Sequence, residues 1–120
     1  MKHKKIPLKR EDLVHGAIIS PDGCKIVELE RNEQYSLAYG ELGVGEKSKE
    51  HKMEMQELYY FIQGKGKITI NKREKEIKEG DVIKIPKNAI QKLENIGKET
   101  LKFLMIVNPP YDPEKEQVLE

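Results

Sequence analysis

Cysteine occurs once in these 120 residues and tryptophan not at all. A lone Cys24 excludes an intrachain disulfide and a cysteine-built zinc site. No histidine lies near it in sequence, so it reads as a small buried hydrophobe rather than a nucleophile. No apolar run approaches the length of a membrane span or a signal-peptide core, and a soluble cytoplasmic protein is the expectation. An excess of charge of either sign is missing too: 22 Lys and Arg against 21 Asp and Glu leave a net charge of +1. That balance offers no electrostatic footprint for nucleic acid or an anionic membrane. The strand-helix alternation of a nucleotide-binding sheet and internal repeats are likewise absent.

What is present is charge in balance and short alternating runs. Charged residues make up 36% of the chain, well above the usual quarter or so. The length suits one domain, 1–120, with a barrel core over about 24–108, a polar N-terminal segment and a charged C-terminal tail. Ser20-Pro21-Asp22-Gly23 is built of turn formers. Residues 25–30 then alternate as a strand does. From Gln34 to Leu42 the alternation sets Ser36, Ala38 and Gly40 on one face, small enough to leave room inside a barrel or for bulky neighbours. Pro86 ends the strand that begins at Val82, Asn88 suits a left-handed position, and Gln91, Leu93 and Asn95 share a face of the next run. Leu101 to Val107 is the most apolar strand, stopped by Asn108-Pro109-Pro110. Pro113 followed by residues 114–119 suggests one or two helical turns. Eight to ten short strands with almost no helix predict an all-β, closed or sandwiched structure.

The rest of the chain is organised around residues 45–66. His51 and Glu57 stand six residues apart, ahead of the apolar run Leu58-Tyr59-Tyr60-Phe61-Ile62. On extended chain an even separation lets both side chains point the same way. An imidazole and a carboxylate that converge are materials for a metal or acid-base site. Gly45, His51, Glu57 and Gly64 resemble the first cupin motif, G-x5-H-x-H-x3-E-x6-G, at every spacing. Gly80, Pro86 and Asn95 resemble the second, G-x5-P-x-G-x2-H-x3-N. The motifs cover residues 45–95 and imply a single-domain cupin, a double-stranded β-helix (jelly-roll) barrel. The family's full metal set departs here: Met53 stands at the second histidine position, Gln91 at the last and Asn88 at a glycine.

The resemblance therefore implies an atypical metal set of His51, Glu57 and Gln91, with Met53, Tyr59 and Asn95 in the pocket. The ion would be a divalent Mn, Fe, Ni, Zn or Cu. Imidazole and carboxylate suit such ions, and an amide oxygen is an acceptable hard ligand. The alternative is that these three side chains hydrogen-bond one another without an ion. The function expected is a cupin that binds a small molecule of sugar or organic-acid type, among apolar walls such as Leu37, Phe61 and Leu93. A metal-dependent enzyme of dioxygenase or sugar-isomerase kind is the alternative. Small cupins pair, so a homodimer is expected as well. The Lys- and Glu-rich, tryptophan-free composition suggests a thermophilic source. We expect a melting temperature above about 65 °C, and a calorimetric transition in the mesophile band of about 45–65 °C argues against that origin.

Overall fold

A computed structural model describes residues 18–120. Eleven strands run through them: β1 (Ile18–Ile19), β2 (Lys25–Arg31), β3 (Ser36–Leu42), β4 (His51–Met53), β5 (Gln56–Gln63), β6 (Lys65–Ile70), β7 (Arg73–Lys78), β8 (Val82–Ile85), β9 (Gln91–Asn95), β10 (Leu101–Asn108) and β11 (Glu116–Val118). They form two sheets facing each other, a six-stranded one in the order β1-β2-β3-β10-β5-β8 and a five-stranded one in the order β11-β4-β9-β6-β7. Every pairing is antiparallel. This is the all-β architecture that the alternating pattern predicted, in the double-stranded β-helix form that the cupin resemblance implied. No helix among the described residues is long and apolar enough to cross a membrane.

Alternation puts one face of each strand into the space between the sheets. Tyr59 and Phe61, two apart on β5, stack at 5.4 Å, and Phe103 from β10 meets Tyr59 edge-on at 5.3 Å. Leu93 and Ile68 come from the opposite sheet to complete this core. Fully burying one such side chain contributes roughly 1.5–3 kcal/mol. The small face of β3 serves two purposes. At one end Gly40, in register with Phe103, leaves the ring a place to lie. A Cβ there would stand 2.4 Å from Phe103 Cε2. At the other end Ser36 and Ala38 leave space unfilled.

The turns are made by residues that accept positive φ. Asn71 (φ 48°) and Lys72 (φ 70°) form the two-residue loop between β6 and β7, the handedness that matches strand twist. Asn88 (φ 66°) is left-handed as expected, in the turn that follows Pro86 after β8 ends at Ile85. Asn95, expected in the pocket, instead acts as a staple at the end of β9. Its Nδ2 donates to Leu42 O (3.0 Å) and Glu99 O (2.9 Å), and its Oδ1 accepts from Gly97 N (2.9 Å). Both of its N–H donors and one lone pair of its oxygen are thereby committed to the backbone.

The C-terminal segment departs from its expectation. The helical turn is confined to a 3-10 turn at Pro113–Lys115, capped by Asp112. The chain then extends as β11 along β4, with Glu116 opposite Met53 and Val118 opposite His51. Leu119 N donates to Glu50 O (2.8 Å) and Glu54 N to Lys115 O (3.0 Å). The free edge of β4 offered unpaired backbone groups, and pairing them outweighs helix propensity over so few residues.

The contact at Gly40 can be tested directly. Gly40→Ala should cost about 1–3 kcal/mol, because the ring of Phe103 must leave its rotamer or the strands must part. Urea unfolding should show a lower midpoint with an unchanged slope.

Candidate functional site

Three segments far apart in sequence meet at the end of the barrel where Ser36 and Ala38 leave space. The first is the turn before β2. Gly23 (φ 97°) lets the chain reverse, and Gly23 N donates to Ser20 O (2.9 Å). Asp22 Oδ1 accepts from Cys24 N (3.1 Å) and from the Ser20 hydroxyl. Lys49 N donates to Asp22 O (2.7 Å), which ties the turn to the entrance of β4. With Oδ1 committed, Oδ2 faces His51 Nε2 at 3.1 Å.

His51 opens β4 and is buried. Its Nδ1 lies 2.7 Å from the Lys49 carbonyl oxygen. Both ring nitrogens thus face acceptors. A neutral imidazole has one N–H and can satisfy only one of them. The other contact requires a second proton or a cation between Nε2 and the carboxylate.

The third segment is β11. Glu116 Oε1 accepts from the Tyr111 hydroxyl at 2.6 Å, while its Oε2 is buried with no hydrogen-bond partner. Tyr111 is held by its own N–H, which donates to Ser36 Oγ (2.9 Å), and by Arg31, which donates to its carbonyl at 2.5 Å. Burial pushes the Glu116 carboxyl up, as does the Asp22 charge, against the Tyr111 bond, His51 and the nearby Asp22 backbone amide, which lower it. Asp22, His51 and Glu116 each bring a ligand atom within 4.8 Å of the others.

These groups border a cavity of about 60 Å3. Water-sized occupants need some 10–15 Å3 each by this measure, so the space suits an ion with its waters or a small fragment of a ligand. Cys24, Ile26, Met53, Met105 and Val107 form its apolar wall. Neither lysine nor arginine lines it among the described residues. Glu57 also borders it and is fully buried, with Gln91 Nε2 donating to its Oε1 at 3.1 Å. Its carboxyl is pushed up to about 8, chiefly by burial, with Asp22 and Glu116 adding to the rise and the Gln91 bond opposing it. Burial likewise pushes the Cys24 thiol up, so no thiolate nucleophile is available.

The residues singled out from the sequence divide among these surroundings. His51 and Gln91 are cross-strand partners, and Gln91 bonds Glu57. The His51 ring nitrogens, however, point to Lys49 and Asp22. Met53 lines the cavity. Tyr59 does not, because it sits deeper, in the aromatic core with Phe61 and Phe103. Of the expected apolar walls, Phe61 and Leu93 belong to that core, and Leu37, a neighbour of inward Ser36 and Ala38, takes the outward face. Asp22 and Glu116 had no metal-ligand signal in the sequence. The one could be found only as a turn residue, the other only as part of a charged tail.

Residues 38–107 match the family model of the Cupin domain. An uncharacterized protein of Methanocaldococcus jannaschii is 39% identical over 108 residues, covering 85% of this chain and 86% of its own. Among solved structures, the polyketide cyclase RemF from Streptomyces resistomycificus superposes with a TM-score of 0.77 at 17% identity, over 100% of this chain and 86% of RemF. The cupin domain of Schizosaccharomyces pombe Cnp3 superposes with a TM-score of 0.68 at 22% identity, over 72% of this chain. There the match spans 64% of the other chain, less than two thirds of its length. At these identities the two structures establish a shared fold.

The buried Glu57 carboxyl makes stability depend on pH. Its folded value of about 8 lies above the ordinary 4.5, so folding takes up a proton between those limits. Stability is fully present below the unfolded value and is lost as pH rises through the folded one. For metal-free protein the loss should reach up to about 1.4 kcal/mol per pH unit. Glu57→Gln, which keeps an acceptor for Gln91, should flatten that slope in urea unfolding followed from pH 5 to 8.

Proposed function

This chain belongs to the cupin family, and we propose that it is a small-molecule-binding cupin whose barrel holds a divalent cation between Asp22, His51 and Glu116. The observation that carries this reading is the His51 ring, which faces a carbonyl at 2.7 Å and a carboxylate at 3.1 Å. A cation at Nε2 removes the conflict between lone pairs, while Nδ1–H donates to Lys49. The partnerless Glu116 Oε2 supplies a further acceptor. Buried carboxylates are normally paired or bound to metal, and no basic side chain among the described residues lines this cavity to pair them. One imidazole with two carboxylates suits Mn, Fe or Zn better than Cu(I), which the Met53 thioether alone would favour.

A bound divalent ion would act as a Lewis acid toward a hydroxyl or carbonyl oxygen of the ligand. The chain's own residues do the rest. Asp22 and Lys49 orient the imidazole, Tyr111 orients Glu116, and the apolar wall excludes water from the remaining space. A metal-dependent enzyme is the second reading, and one observation favours it. Glu57 borders the same cavity with a carboxyl that titrates near neutrality, where a group exchanges protons with a substrate most effectively.

Calorimetric titration of chelator-stripped protein with Mn2+ and Zn2+ tests the reading. About one equivalent should bind, and Asp22→Asn, His51→Ala and Glu116→Gln should each weaken affinity by more than tenfold or so, since even outer partners of a metal typically cost that much. Gln91→Ala should stay within about threefold. Loss on Gln91→Ala and Glu57→Gln with Asp22→Asn and Glu116→Gln unaffected would move the site to the motif residues. No binding to the wild type would remove the metal altogether.

A further inference from the structure

The C-terminal segment reaches the site but is only lightly attached to the barrel. No residue after Val107 is more than partly buried. Tyr111 is the last firm anchor. Its ring packs against Met53, Met55 and Val107, its N–H donates to Ser36 Oγ, and its carbonyl accepts from Arg31. Past Asp112 the chain makes the 3-10 turn and then β11, a three-residue strand at the edge of its sheet with β4 as its one neighbour. Two backbone bonds, Glu54 N to Lys115 O (3.0 Å) and Leu119 N to Glu50 O (2.8 Å), tie it to the chain on either side of β4. A segment that buries so little apolar surface, and holds on through an edge ladder, opens locally at far lower free energy than the whole fold.

One group on this segment belongs to the site. Glu116 is the side chain that β11 sends to the cavity, and its Oε2 is buried there without a partner. Asp22 and His51 sit on parts that stay in place. Lys49 N fastens the Asp22 turn beside the start of β4, and His51 pairs with Gln91 of β9. Two of the three groups are therefore fixed, and the third is carried on a detachable strand. With that strand closed, a cation beside His51 is the partner that Glu116 Oε2 lacks. With no cation, the same carboxylate is a buried acceptor whose lost hydration favours opening.

We propose that the segment from Asp112 onward is a strap over the cavity, latched when Glu116 joins a divalent cation at Asp22 and His51 and released when that cation leaves. The strap rests on the cation site proposed above and adds a moving part to it. Its release takes Glu116 out of the cavity wall and opens a way in for a ligand. Tyr111, held by Ser36 and Arg31, stays behind as the fixed end. The coupling runs both ways. The factor by which Glu116 strengthens cation binding is the factor by which the bound cation suppresses opening of the strap.

Amide hydrogen exchange followed by NMR on the full chain, chelator-stripped and then saturated with Zn2+, tests this. The Glu54 and Leu119 amides should exchange at least about tenfold more slowly with Zn2+, matching the affinity lost in Glu116→Gln. The Asp81 amide is bonded to Lys78 O in the turn between β7 and β8, outside the cavity wall. Its exchange should stay within about twofold, because that turn opens without disturbing the site. In Glu116→Gln saturated with Zn2+ at its own weaker affinity, the Glu54 and Leu119 amides should exchange as they do without the ion. Zn2+ that binds by calorimetry yet leaves both amides unchanged in the wild type overturns the strap and leaves the cation site standing. Equal slowing at Asp81 overturns the strap as well, because the ion then tightens the whole fold. Zn2+ that does not bind removes the site and the strap together. If Glu116→Gln fails to fold, Leu119→Pro takes its place, since it lacks the N–H bonded to Glu50 O and touches no proposed ligand. Its Glu54 amide should exchange severalfold faster than in the wild type without the ion, and an unchanged rate there means that the segment does not open as a unit and overturns the strap.

Discussion

Two acceptors hold one imidazole, and the polar half of the barrel is built around that constraint. His51 cannot donate to Lys49 O and to Asp22 Oδ2 as a neutral ring. The turn that presents Asp22 is fastened to β4 by Lys49, the residue whose carbonyl also takes Nδ1. Glu116 reaches the same cavity only because β11 pairs with the strand that carries His51. Turn, strand and C-terminal segment thus depend on one another, and all three converge where electrostatics demand a cation or a proton.

Charge in this protein is sorted by depth. The balanced lysines and glutamates lie largely at outward positions, where water screens them and each pair counts for little. Three carboxyl groups, Asp22, Glu57 and Glu116, instead border one small cavity with one histidine, and Glu28, paired with Arg31, is a fourth on its lining. Burial first, and then the neighbouring acidic charges, push the carboxyls of Glu57 and Glu116 up. An arrangement of that kind weakens a fold unless a cation, a proton or a ligand offsets it.

The small face of β3 explains why the cavity exists at all. Gly40 yields its space to Phe103, and the barrel is close-packed there. Ser36 and Ala38 yield space that no neighbouring side chain takes, and the seryl oxygen instead accepts from Tyr111 N. One strand therefore closes the core at one end and opens the site at the other.

The fold was legible in the sequence because its signals are local. Period-two alternation, Pro86 at a strand end, asparagines at left-handed positions and the motif glycines each act within a few residues. Alternation also placed Gln91, Leu93 and Asn95 inward. The site was legible only in part: His51, Glu57 and Met53 border the cavity, whereas Tyr59 and Asn95 serve the core and a backbone staple. Period-two alternation says which face a residue takes but not how deep along the barrel it lies. Asp22 and Glu116 reach His51 from 29 and 65 residues away in sequence. No local pattern records such a meeting. It follows from which sheet edge was left unpaired and where a turn could be fastened, and the closed barrel alone decides both.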